Sequence, residues 1–267
     1  MVKSRLIKLH STVMEYMLLP NGARVAHVNM GETGLLYRRI FADQCYLQHG
    51  ITLSPGDVVF DVGANIGMAS LFFSMHCPGI VIHAFEPARI PFSALAENMG
   101  LHRIPGGCRQ VALWEKPGFR NFTYYPQTTL MSGMYTDSSV DQALSRAFLR
   151  NSGLSEQDTA DVLTQKYEAQ SSLARVSTLS REMASLRVDR VDLLKLDVEK
   201  SELHVLRGLS DGDWPKLQQV VAEVHDIDGR LAQFTGLLRV QGFDVAVEQE
   251  NFLEDTDIYE VFAVRAR

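Results

Sequence analysis

Apolar positions divide the chain into stretches with different periods. Between Met14 and Val28 two short apolar runs flank Pro20-Asn21-Gly22, and Asn-Gly in that setting predicts a tight β-hairpin. From residue 33 to 48, Leu35, Leu36, Ile40, Phe41, Cys45 and Tyr46 recur at helical spacing, and His49-Gly50 is placed to end the helix. Residues 1–50 therefore read as a hairpin and helix cap. From Ile51 the pattern changes to strand, glycine turn, helix, strand and helix. Strands are predicted at 58–62, 80–85, 108–113, 191–197, 217–224, 243–247 and 258–264, and helices at 68–77, 91–99, 201–209 and 228–240. Such alternation implies parallel strands joined by helical crossovers, a doubly wound α/β domain over residues 51–267.

One stretch breaks this rhythm. Residues 123–187 hold an aromatic loop, Tyr124-Tyr125-Pro126-Gln127-Thr128-Thr129, and then a polar helical region over 140–169 carrying Leu144, Phe148, Leu149, Val162 and Leu163. A sheet crossover needs far fewer residues, and long insertions in compact domains are usually functional or disordered. The insertion over about 124–187 reads as a helical lid; a solvated helical hairpin with no part in catalysis is the alternative.

Composition narrows the class. The chain has 267 residues, 46% hydrophobic and 22% charged, which suits a globular protein. Its 26 Lys plus Arg against 32 Asp plus Glu give a formal net charge of −6, so a chain-wide grip on nucleic acid phosphates is not expected. Cys45, Cys77 and Cys108 are scattered and odd in number, with no Cys-x-x-Cys pair, which points to a reducing compartment and no zinc site. Lys3, Arg5 and Lys8 precede a stretch broken by Glu15 and lacking a small-residue cleavage site, unlike a signal peptide. No apolar run reaches the roughly 18 residues of a membrane span. The expectation is a cytoplasmic protein with neither a membrane nor a nucleic acid partner.

The candidate chemistry sits at strand ends. Val58-Val59-Phe60-Asp61-Val62-Gly63-Ala64-Asn65-Ile66-Gly67 ends a strand and opens a helix. Glycines there let backbone approach a ligand and the helix pack closely on the strand. A nicotinamide or flavin fold would place Gly-x-Gly-x-x-Gly at this turn for a pyrophosphate. Here three residues separate Gly63 from Gly67, and Asp61 precedes them. An aspartate repels phosphate but accepts hydrogen bonds from a ligand ammonium, directly or through water, which favours S-adenosylmethionine over a nicotinamide. The second strand ends Phe85-Glu86-Pro87, where a carboxylate can accept both hydroxyls of an adenosine ribose. Asp61, Gly63, Asn65, Gly67, Glu86 and Pro87 are the cofactor-binding candidates.

The fourth strand ends Leu196-Asp197-Val198-Glu199-Lys200-Ser201-Glu202, and the fifth ends Glu223-Val224-His225-Asp226. Alternation puts Glu223 and His225 on one face near the edge that carries Asp197. Histidine titrates near neutrality, and a neighbouring carboxylate orients its ring and raises its basicity. His225 is therefore the candidate general base, with Glu223 or Asp197 orienting it. Glu199 and Glu202 could equally serve the start of the following helix, and Asp226 reads as a helix cap. Asp197, Glu223, Asp226, Asp228 and His225 could together bind a hard cation. Near-adjacent acids of a helix cap converge poorly on one ion, so no metal is assigned.

These segments resemble the FkbM-type S-adenosylmethionine-dependent methyltransferases. The likeness is carried by Asp61 to Gly67, Phe85-Glu86-Pro87, Leu194 to Glu202 and Glu223-Val224-His225. That family usually has glycine at the position of Lys200. With Tyr46-Leu47, His49-Gly50-Ile51, Tyr125-Pro126 and the run from Glu223 to Leu231, the departure is similar to members within polyketide and peptide synthases. Those members are O-methyltransferases acting on carrier-protein-bound intermediates. The resemblance implies a Rossmann-like class I fold, with a seven-stranded, mostly parallel sheet whose last strand is antiparallel. It also implies an oxygen acceptor on a small-molecule or acyl-carrier-protein-bound substrate. A nicotinamide oxidoreductase, a non-catalytic cofactor-binding module, and methylation at nitrogen or carbon of a freestanding small molecule are the rival readings.

Overall fold

The computed structural model describes residues 14–136, 138–151, 168–250 and 253–266. Strands β1 (Glu15–Leu18) and β2 (Arg24–His27) pair antiparallel around Pro20-Asn21-Gly22. Gly22, at φ +83°, donates to the Leu19 carbonyl to close the turn. Helix α1 (Met30–Tyr37) starts at Asn29, whose side chain accepts from the Gly31 and Glu32 N–H groups, a standard helix cap. A single π-turn, Arg38–Ala42, continues it. The helical spacing extends to residue 48, but the chain turns left-handed at Gln44 (φ +51°), so the helix stops early. Residues 1–13 of the predicted cap lie outside the described residues.

The main domain follows in chain order: β3 (Val58–Val62), α2 (Met68–His76), β4 (Val81–Phe85), α3 (Arg89–Leu101) and β5 (Gly106–Arg109). Next come β6 (Ala112–Leu113), β7 (Gly118–Tyr124), α4 (Ser138–Asn151), β8 (Gln170–Ser177) and α5 (Leu179–Leu186). The chain ends with β9 (Leu193–Leu196), α6 (Glu202–Leu206), β10 (Gln219–His225), α7 (Arg230–Val240), β11 (Phe243–Glu248) and β12 (Ile258–Arg265). Seven strands form one sheet in the order β11-β12-β10-β9-β3-β4-β5. β12 lies antiparallel between β10 and β11, while β3, β4, β5, β9 and β10 run parallel. This is the mostly parallel seven-stranded α/β sheet expected from the sequence.

Both faces of the sheet are covered, which is why its strands read as continuous apolar runs. Val59 and Val221 face α2, α3 and the N-terminal cap, packing with Phe72, Phe73 and Leu95. Phe60, Val220 and Val224 face α5, α6 and α7, packing with Met183, Leu206 and Phe234. Each such side chain contributes about 1.5–3 kcal/mol by leaving water.

The insertion is less helical than its sequence suggests. β7 and β8 pair antiparallel, and β6 joins β8 in parallel, forming a second three-stranded sheet. The predicted third strand, 108–113, is divided: β5 belongs to the main sheet, and the chain leaves at Gln110 so that Ala112 and Leu113 pair with β8. Phe122, Tyr124, Ala174 and Val176 point inward and alternate with exposed Phe119, Leu173 and Arg175. That period of two is masked in the sequence because the exposed Phe119 and Leu173 are as apolar as the inward residues. Helix α4 ends at Asn151, and 152–167, the rest of the predicted helical region with Val162 and Leu163, lies outside the described residues. No helix among the described residues is long and apolar enough to cross a membrane.

Gly63 fixes how closely the first turn approaches the fourth parallel strand. It sits at φ +76°, and a Cβ there would lie 1.7 Å from the Asp197 carbonyl oxygen. Gly63→Ala should lower stability by at least about 3 kcal/mol in denaturant unfolding, through strain and this clash. An unchanged midpoint would show that the two strand ends are not so tightly apposed.

Candidate active site

The chain leaves β3 toward β4 on one side, while β9 lies on the other, so the two carboxyl ends open a crevice at a reversal of strand order. Ligands of open α/β sheets bind there. A cavity occupies the crevice. Gly63, Asn65, Phe85, Glu86 and Pro87 line one side, and Asp197, Val198, Glu199 and Ser201 the other. Ala112 and Leu113 with Phe122, Thr129, Leu130, Ser132 and Met134 complete the wall. The insertion therefore forms part of the site.

Glu86 is buried at the tip of β4. Its Oε2 accepts from the Asn65 N–H at 2.9 Å and its Oε1 from the Ala88 N–H at 2.7 Å. Burial raises its pKa to about 7 against the pull of those two donors and Lys195. Asn65 is left-handed at φ +48°, and its side-chain amide donates to Thr129 Oγ1 at 3.1 Å. Thr129 in turn donates to Glu32 Oε2 of α1 at 2.8 Å. One chain of hydrogen bonds thus joins glycine turn, insertion and cap. Gly67, the N-cap of α2 at φ +87°, would bring a Cβ within 2.7 Å of Leu95 Cδ1.

Asp61 is placed differently from its sequence reading as an acceptor for a ligand ammonium. It has no exposed surface and does not line the cavity. Ser70 Oγ donates to its Oδ2 at 2.7 Å, and the Lys195 ammonium lies 3.2 Å from its Oδ1. Both partners sit beneath the turn, so Asp61 supports the turn from below. Lys195 also donates to the Gly63 carbonyl at 2.8 Å and lies 3.6 Å from Asp197 Oδ2. Burial would lower its pKa, but Asp61 and Asp197 outweigh that and raise it. Asp197 does line the cavity and accepts from the Tyr46 hydroxyl at 3.3 Å.

His225 is 1% exposed, at the end of β10. The carboxylates that orient it are not Glu223 or Asp197. Glu199 Oε2 lies 3.2 Å from its Nε2, and Asp257 Oδ1 lies 3.9 Å from its Nδ1. Burial favours the neutral ring, but Asp257, Glu199 and Glu202 together push its pKa well above the usual value. Burial lifts Glu199 to about 7, against the pull of His225. Glu223 instead accepts from Arg39 of the π-turn at 3.0 Å, and Arg39 also reaches Glu260 at 2.6 Å. The side chain on one face of β10 is thus taken up by the cap. Asp226 is not the cap residue of α7, which is Gly229; its side chain accepts from the Leu231 N–H at 3.1 Å in the first turn.

Among the described residues, ligand atoms of Glu199, Glu223 and His225 lie within 4.8 Å of one another, close enough to hold a cation. Arg39 already supplies positive charge at Glu223, and His225 is itself held protonated. The charge of the cluster is balanced by the chain's own side chains. Arg39 and Asp257 lie outside every motif named in the sequence, and Lys195 and Tyr46, although within segments that carry the family likeness, show no sign there of the contacts they make.

The cavity suits S-adenosylmethionine. Each Glu86 oxygen accepts one backbone N–H and keeps a lone pair for a ribose hydroxyl. Phe85, Pro87, Ala112 and Leu113 offer an apolar wall for a base. Asp197 and Glu199 set negative charge opposite, where a cationic group is favoured.

The profile of the methyltransferase FkbM domain matches residues 61–245, which include every candidate named at the strand ends. The 31-O-demethyl-FK506 methyltransferase FkbM of Streptomyces tacrolimicus is 48% identical over 259 residues, 96% of this chain and 98% of that protein. The AMB antimetabolite synthetase AmbE of Pseudomonas aeruginosa is 36% identical over 260 residues, 92% of this chain but 12% of the synthetase. Methyltransferase 1 of Beauveria bassiana is 34% identical over 237 residues, 88% of this chain and 90% of that protein. The chain belongs to the FkbM family of S-adenosylmethionine-dependent methyltransferases.

Proposed function

We propose that the enzyme transfers a methyl group to a hydroxyl or enol oxygen of a polyketide- or peptide-like intermediate carried on an acyl carrier protein. The observation that carries this reading is the Glu199–His225 pair at the cavity edge opposite Glu86. It sets a proton acceptor across the crevice from the proposed ribose carboxylate. The relatives support the acceptor class: one is named for O-methylation of a demethylated FK506, and another is an antimetabolite synthetase.

The bound cofactor supplies an activated methyl on a sulfonium, so the protein's task is alignment and proton removal. Glu86 and the turn from Gly63 to Gly67 hold the nucleoside. Asp197, fixed by Lys195 and Tyr46, bears on the cationic end. The insertion residues Phe122, Leu130 and Met134 screen the acceptor from water. Glu199, ion-paired with His225, receives the hydroxyl proton, and Asp257 steadies the imidazole from behind.

Three outcomes follow from this arrangement. Glu86 must be ionised to accept two ribose hydroxyls, and its pKa stands at about 7. Calorimetric affinity for S-adenosylmethionine should therefore rise as pH increases through 7. Glu86→Gln should bind at least about tenfold more weakly and lose that pH dependence; equal affinity at every pH would remove Glu86 from the site. His225→Ala should keep cofactor affinity while losing about 10² to 10⁴ in turnover. Normal turnover in that variant would exclude the pair from proton transfer. Incubation with S-adenosylmethionine, 31-O-demethyl-FK506 and a panel of hydroxyacyl carrier-protein thioesters should yield an O-methylated product by mass spectrometry. Methylation only at nitrogen or carbon, or none with cofactor bound, would contradict the proposed acceptor.

A further inference from the structure

Three consecutive residues after β9 face alternate ways. Glu199 and Ser201 line the cavity, whereas Lys200 between them is buried and directed away, paired with the carboxylate of Asp141 on α4. The Tyr125 hydroxyl donates to the same carboxylate at 3.3 Å. Both ends of this contact are almost without solvent access, with side-chain exposures of 5% and 1%. The insertion is thereby fastened to the strand end that carries Glu199.

The backbone at this turn is unusual. Glu199 and Lys200 are both left-handed, at φ +50° and +70°. For a residue other than glycine that conformation costs about 1–2 kcal/mol. Glycine at either position would avoid that cost. A lysine here is offset by what it holds. Its N–H donates to Glu202 Oε1 at 2.8 Å, its carbonyl accepts from Arg230 at 2.7 Å, and its ammonium grips Asp141. Gly133 of the insertion sits directly on Glu199: a Cβ there would lie 3.0 Å from the Glu199 Cβ.

The Ser201 hydroxyl supplies an independent observation. Ser201 is 3% exposed, and its Oγ has no hydrogen-bond partner among the described residues, although the residue lines the cavity. A buried hydroxyl left this way costs about 1–3 kcal/mol, which a bound polar group would recover. His225 does not line the cavity at all, so within the Glu199–His225 pair Glu199 is the member a ligand can touch.

We propose that Glu199-Lys200-Ser201 is the acceptor-handling element of the enzyme: Glu199 and Ser201 touch the acceptor oxygen, and Lys200 positions both by gripping Asp141 of the insertion. The proposal rests on the methyl-transfer reading above. The acceptor oxygen forms the new C–O bond as the methyl–sulfur bond breaks, and that electron pair stays on sulfur, leaving a neutral thioether. The hydroxyl proton passes to Glu199, and Ser201 donates a hydrogen bond to the same oxygen. Lys200 is a positioning residue, and His225 stands behind Glu199.

The test compares Glu199→Gln, Ser201→Ala, Lys200→Gly, Asp141→Asn and the Lys200→Gly/Asp141→Asn double variant with the unaltered enzyme. Circular dichroism and a cooperative thermal transition matching those of the unaltered enzyme show that each of the five variants is folded. With 31-O-demethyl-FK506 or the active thioester, Glu199→Gln should lose at least about 10² in kcat. Ser201→Ala should lose about 5- to 10-fold in kcat/KM. Lys200→Gly and Asp141→Asn should each raise the acceptor KM and speed hydrogen exchange across Ser138–Asn151, and the double variant should be no worse than the worse single one. Full turnover in Glu199→Gln, or additive losses with unchanged exchange, overturns the proposal. If the unaltered enzyme methylates no hydroxyl, the methyl-transfer reading and the acceptor half fail together. The exchange comparison then still decides whether Lys200 fastens the insertion.

Discussion

A single ammonium group holds the site together. Lys195 lies on β9 with 3% of its side chain exposed, and it touches Asp61 on β3, the Gly63 carbonyl and Asp197. A buried cation costs several kcal/mol unless charge and hydrogen bonds replace its water. Here they do, and each partner is thereby fixed. Asp61 holds the base of the glycine turn, Gly63 brings that turn against the Asp197 carbonyl, and Asp197 keeps its carboxylate on the cavity wall. The shape of the crevice follows from where this one charge is satisfied.

Other parts of the chain converge on the same crevice. The N-terminal cap sends Arg39 into Glu223 and Glu260, and Tyr46 onto Asp197. The insertion sends Thr129 to Asn65 and Asp141 to Lys200. Cap and insertion are thus tied to the strand ends by buried polar contacts, where breaking a contact is costlier than at a solvated surface. The cavity is built from elements far apart in sequence.

Much of this was legible in the residues. The glycine turn and the carboxylate after β4 have fixed spacing because local backbone geometry demands it, and the alternating strands and helices follow from burial on both faces. The partners of those residues were not legible. Asp257 meets His225 across β10 and β12, and Arg39 meets Glu223 across 184 positions, so no local pattern announces either pair. Glu223 was assigned to His225 on strand alternation alone; the arrival of Arg39 from the cap redirects it. Asp61 was read as a ligand contact because it precedes the turn, and only the depth of Lys195 shows that it faces inward. The strand pair in the insertion was hidden because apolar Phe119 and Leu173 stand on its exposed face, and the π-turn because its residues keep the spacing of a helix.

The dependence of the site on Lys195 can be measured without an acceptor. Lys195 does not line the cavity, so any effect of its loss on cofactor binding must pass through Asp61, Gly63 and Asp197. Replacing it with methionine keeps most of the length of the side chain and removes the charge. Calorimetric titration of Lys195→Met with S-adenosylmethionine should show affinity at least about tenfold weaker than that of the unaltered protein, the loss of about 1.4 kcal/mol or more. A folded Lys195→Met protein that binds the cofactor with unchanged affinity would contradict the claim that this buried cation organises the site.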